Sequence, residues 1–132
     1  MSKQWPADFP EDCPPKSAFH SEDKFYRLVD KFPPDSRDFL RTRDNPVQKD
    51  KDFHGEGIIN SYGTSVFSKV GDAFALKRKF RRAMASKKIA SGVIGNNVGV
   101  VRQTYAPSHH TAWFYNGAAP ETSFTTEEKE ES

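Results

Sequence analysis

The sequence predicts an α+β fold, a small and mainly antiparallel sheet with one longer amphipathic basic helix and one short helix. Three observations predict it. Short runs rich in β-branched and aromatic residues recur between turn signals, at 24–30, 65–67, 88–94, 98–105 and 111–115. One run after Ser68 instead repeats its apolar residues at helical spacing. Finally, 132 residues at 35% hydrophobic suit a single compact core. Eleven Phe, four Tyr and two Trp help to fill it, because each buried aromatic removes a large area from water.

Residues 1–23 read as a Pro-rich N-terminal arm, since Pro6, Pro10, Pro14 and Pro15 deny regular ladders and helix interiors. Trp5, Phe9 and Phe19 are costly to leave in water, so the arm is expected to pack in part, with Cys13 buried beside it. Lys24 to Asp30 alternates as a strand, with Phe25, Arg27 and Val29 on one face and Tyr26 and Leu28 on the other. Asp35 or Ser36 can then cap a short helix through Arg41, anchored by Phe39 and Leu40. The polar stretch 42–62, with Pro46, Gly55 and Gly57, reads as an exposed loop long enough to suggest a binding role.

Ser65 to Phe67 is expected as a short strand, and Ser68 or Asp72 caps a helix to about Ala85. Its apolar stripe is Ala73, Leu76, Phe80 and Ala83, widened by Phe74 and Met84. The segments 88–94 and 98–105, joined by Gly95, Asn96 and Asn97, read as a hairpin. Residues 111–115 add a strand and 123–126 a final one. The single α+β domain thus covers 24–126, and 127–132 is an acidic mobile tail.

The formal net charge is +2, but the last six residues hold four Glu and one Lys, leaving about +5 on the rest. No apolar run of membrane-spanning length occurs, and the first residues carry neither a basic nor an apolar leader segment, so no membrane partner and a cytoplasmic location are expected. The lone Cys13 cannot form an internal disulfide.

Several groups are candidates for chemistry. Seven of the twelve residues 77–88 are Lys or Arg, and Lys77, Arg78, Arg81 and Arg82 form a possible anion-binding set. His109 and His110 can titrate near neutral pH, but neighbours on a strand point to opposite faces, and neither they nor His20, His54 and Cys13 show zinc spacing. No metal is expected. Ser65, Ser68 and Ser108 lack the G-x-S-x-G context of a serine nucleophile. The glycines of 92–99 sit between β-branched residues and read as a turn rather than a phosphate loop.

The ordered series DCPP at 12–15, FYRLV at 25–29, DF at 38–39, SVF at 65–67 and SHHTAW at 108–113 resembles a family of small uncharacterised bacterial proteins, and implies one domain and no particular activity. A second likeness is to ADP-ribosyltransferase-like domains, in which an aromatic-Arg strand, a Ser-bearing strand and a third catalytic position surround nicotinamide adenine dinucleotide (NAD). Tyr26, Arg27 and Ser65 would match the first two positions. The third has no clear Glu, so Glu121 or a histidine such as His110 would have to serve. The leading expectation is a non-enzymatic protein-interaction or regulatory module without cofactor, with another protein as partner and with His54, Trp113 and Tyr115 as contact residues. The alternatives are an NAD-using enzyme built on Tyr26, Arg27, Ser65 and His110, and nucleic-acid binding through the basic helix.

Overall fold

The structure is a computed structural model that describes residues 3–48 and 51–129. The end of the expected acidic tail, residues 130–132, lies outside the described residues. Six strands form one antiparallel sheet: β1 (Lys24–Val29), β2 (Thr64–Phe67), β3 (Lys88–Val93), β4 (Gly99–Gln103), β5 (His109–Phe114) and β6 (Thr126–Glu128). Their order is β4-β5-β2-β1-β3-β6. Three helices accompany them, α1 (Glu56–Ser61), α2 (Val70–Lys79) and α3 (Arg81–Met84). The α+β class predicted from the sequence is therefore what the chain forms.

Register fixes which side chains share a face, because directly paired residues point the same way. Arg27 pairs with Ala90, Thr64 with Ala112 and Ala112 with Val101. This first face therefore carries Phe25, Val29, Val66, Ala90, Val101 and Ala112, all buried around Phe39 and Phe124. Gly92 belongs to the same face, and a β-carbon there would collide with the Ser123 carbonyl. Its bareness lets the 123–124 backbone lie on the sheet and seat Phe124 in the core.

The second face carries Tyr26, Ser65, Val100, Thr111 and Trp113. Helix α2 crosses β1 and β2, with Ala73 fully buried. The N-terminal arm covers the β4–β5 end, where Trp5, Phe9 and Cys13 pack with Val100 and Trp113. Phe19 bridges Val101 through its backbone while its ring stays half exposed. Arg41 holds the arm down: its guanidinium donates two bonds to Asp8, at 2.9 and 2.8 Å, and two to Asp44, at 2.7 and 3.3 Å. The Asp8 bonds raise the Arg41 pKa above its ordinary value.

Five expectations are corrected. Strands β3 and β4 are not a hairpin, since β3 pairs with β1 and β6 and β4 pairs with β5. The turn at 95–98 exists, closed by Val98 N–H to the Gly95 carbonyl at 2.9 Å, but it links strands four positions apart. A flat sheet would put them about 19 Å apart at roughly 4.8 Å per step, so the sheet curls around its first face. The basic helix breaks at Phe80, where φ is −112° and ψ 53°, and Phe80 and Ala83 are exposed instead of joining an apolar stripe. The short helix expected through Arg41 is a 3-10 turn, Ser36–Phe39, capped by Asp35. The loop 42–62 contains a helix, α1. The last strand is Thr126–Glu128, so Glu127 and Glu128 are not tail: Glu128 accepts from Ser91 Oγ at 2.7 Å and pairs with Lys24 at 2.9 Å.

Candidate binding cleft

The uncovered part of the second face, between α2 and the arm, is roofed by residues from 42–48 and 51–62. Beneath it is a cavity of about 440 Å³, within the size range of small-ligand sites. Ser65 of β2 and Thr111 of β5, paired in register, contribute from the sheet. Asn60 and Ser61 contribute from α1, and His54 and Tyr105 from loops.

Helix α1 has weak credentials by itself, being six residues with Gly57 and two Ile. Tertiary contacts hold it. Trp113 Nε1 donates to the Ile59 carbonyl at 3.0 Å, and Ile59 and Tyr62 pack against the Trp113 cluster. Arg43 lies 3.8 Å above the Tyr62 ring, which ties the segment before α1 to the residue after it. These contacts aim Gly57, Asn60 and Ser61 at the cavity.

Most buried polar groups here are paired. Ser61 Oγ donates to the Ile58 carbonyl at 2.6 Å, and Thr111 Oγ1 shares a bond with Thr104 Oγ1 at 2.9 Å. Thr104 Oγ1 also meets His109 Nδ1 at 2.9 Å. Burial, aided by the neighbouring His110, pulls the His109 pKa below its ordinary value against a hydrogen bond that the ring donates to the Thr104 backbone. Asn60 is different. It is 7% exposed, lines the cavity, and its side-chain amide has no hydrogen bond among the described residues. No buried polar atom is sealed from solvent without a partner, so the amide opens into the cleft.

Tyr105 stands at the rim, 75% exposed, with φ at 62°. A bulky residue in the left-handed region is strained, and such outliers concentrate at functional positions. Its ring meets the His109 ring edge-on at 5.3 Å between centroids.

The residues proposed for an NAD-using site do not converge. Arg27 and His110 belong to the first face, while Tyr26 and Ser65 belong to the second. Arg27 Nε donates to the Asp38 carbonyl at 2.6 Å and Nη1 to the Ser65 carbonyl at 2.7 Å. Burial brings its pKa down to about 10 against the pull of Asp38 and Asp30, which leaves it charged at neutral pH. It ties β1 and β2 to the turn above them. His110 Nδ1 meets the Ser108 carbonyl at 3.2 Å, and its ring packs against Phe25.

Trp113 is 0% exposed, which corrects its expected place on a contact surface: it is core. Tyr115 is half-buried and stacks on Trp5 at 4.3 Å, fastening the arm. Among the three expected contact residues His54 is exposed and lines the cleft. Comparison with protein-family models, with curated proteins and with solved structures finds no match. Among the described residues no group of three or more His, Cys, Asp or Glu is placed to hold a metal, and no helix is long and apolar enough to cross a membrane.

The basic set gathers around a second cavity of about 400 Å³, where Lys77, Arg78 and Arg81 meet Lys88 and Lys129. Glu127 and Glu128 line it too and offset part of its charge. Arg82 points elsewhere, exposed on α3.

Proposed function

We propose that the protein is a non-enzymatic interaction or regulatory module whose contact site is the cleft between the 42–62 segment and the second face of the sheet. The observation that carries this reading is the unpartnered amide of Asn60, buried deep and open to the cleft. Because the amide reaches the open space of the cleft without a protein partner, its donor and acceptor are available to an incoming group. The exposed Tyr105 at the rim is of the residue type that dominates interface energetics.

The test is capture of partners from a nuclease-treated host lysate on wild-type protein and on the Asn60→Ala and Tyr105→Gly variants. A stoichiometric protein held by wild type and lost by both variants is the expected result. Retention of nucleic acid or nucleotide alone, or capture indifferent to both substitutions, would overturn the reading.

A second reading, an enzyme similar to ADP-ribosyltransferase-like domains, draws support from Ser65, which lines the cleft on the same face as Tyr26. It requires NAD turnover that Ser65→Ala abolishes. Nucleic-acid binding draws on Lys77, Arg78 and Arg81 around the second cavity, and requires salt-sensitive retention weakened by Arg78→Ala with Arg81→Ala.

A further inference from the structure

The depth and the mouth of the cleft differ in chemistry. Deep inside, Ser61 and Thr111 have spent hydroxyl bonds on Ile58 and Thr104, and only uncharged groups remain to meet an occupant. Lys51 and Asp52, of opposite sign, and the imidazole of His54 are exposed at the mouth. A ligand anion or cation reaching the depth would find no fixed countercharge there, and its desolvation would go uncompensated. The occupant of the deep part is therefore neutral and rich in hydrogen-bonding groups.

Asn60 narrows the choice. Its amide sets an acceptor oxygen beside an NH₂ donor. One residue of an extended chain presents the complement, an N–H and a C=O on the same edge, as in an antiparallel strand pair. Ser65 supplies a further hydroxyl beside it on the sheet, and it makes no side-chain bond among the described residues. At the rim, Phe53 and the exposed Tyr105 offer apolar surface to flanking side chains. Main-chain bonds supplying affinity and side-chain contacts supplying specificity are the two components of extended-peptide recognition.

We infer that the cleft binds an extended segment of a partner protein through its main chain, with Asn60 pairing the N–H and C=O of one residue and Tyr105 packing on a neighbouring side chain. This inference rests on the interaction-module reading and specifies its partner. The Tyr105 backbone is already held in its unusual conformation by the β4–β5 connection, where Thr104 and His109 exchange backbone and side-chain bonds. The ring is thus positioned before the partner arrives, which lowers the ordering cost of binding.

The experiment uses the full chain and a phage-displayed library of random twelve-residue peptides. Wild type and Arg82→Ala, altered outside the cleft, are expected to bind the selected peptides equally. Asn60→Ala and Asn60→Asp are expected to weaken them at least about tenfold, with cooperative thermal melts showing that both variants fold. N-methylation of each backbone amide in turn should identify one position whose loss of N–H weakens binding by a similar factor. Equal binding by the Asn60 variants, or indifference to methylation at every position, overturns the inference. If no peptide is selected while a folded protein is still captured in an Asn60-dependent way, main-chain recognition fails and the module reading stands. If neither is held, both fail.

Discussion

The two faces of the sheet are built from alternate residues of the same strands, yet they handle polar groups in opposite ways. On the first face the cation Arg27 is buried with its bonds committed to the Asp38 and Ser65 carbonyls. Over the second, a neutral amide on α1 and a strained tyrosine in the β4–β5 connection are left with capacity to spare. The residue that most resembles a catalytic group by type is thus a strut. A missing partner at a buried neutral side chain is the better sign of a site than charge is.

The largest effect that separates the faces is expected at Phe124→Ala, which empties the centre of the first face and should cost about 3–5 kcal/mol in urea unfolding. A loss below about 1 kcal/mol would mean that the C-terminal segment does not seal the core. Next comes Arg27→Met, which keeps the apolar stem but strips two carbonyls of their donor; a loss of roughly 3 kcal/mol is expected. If this variant instead remained fully stable and lost an activity, the strut assignment would be wrong.

The third expectation concerns pH. His109 is held below the ordinary histidine value, so as pH falls the unfolded chain takes up its proton first. Its contribution is complete above about pH 6.5 and is lost as the pH falls toward the folded-state value. Melting temperatures should therefore fall more between pH 7.5 and pH 5 in wild type than in His109→Gln, and equal slopes would refute the assignment. A smaller effect of opposite sign belongs to the cleft: Tyr105→Gly relieves the left-handed backbone and should raise stability by about 1 kcal/mol while weakening binding. Smallest of all, Ser65→Ala should change stability by less than about 0.5 kcal/mol. A large loss there would show that its hydroxyl serves the fold and not the cleft.

The same contrast explains what the sequence made legible. Alternation in KFYRLV assigned both faces of β1 correctly, because period-two burial is a local property. Gly95 to Asn97 announced a turn for the same reason, but whether the two strands it joins lie side by side depends on their pairings with β1 and β5, which the turn does not encode. Helix α1 was invisible because Gly57, Ile58 and Ile59 are indifferent helix formers and its anchor, Trp113, is 54 residues away. No Gly or Pro marks the break at Phe80. At the site, Ser65 and His54 were each conspicuous for separate reasons, and the fold brings them to one cavity. Asn60 carries no motif, so it stands out only once its lack of a side-chain partner among the described residues is known.

Strand β5 lies between β2 and β4, and it is the only strand that β4 pairs with among the described residues. The order of synthesis therefore matters. When residues up to about 108 have left the ribosome, β1, β2 and β3 can already associate, but β4 has no strand to pair with and only the N-terminal arm to meet it, through the Phe19 bridge and the Val100 contacts. The Val100 and Val101 pair, buried in the finished protein, then remains open to water and to other chains. A sheet whose edge waits for a late central strand pairs residues far apart in the chain, which slows folding. The vulnerable interval in the life of this protein is the one before His109 to Phe114 arrive.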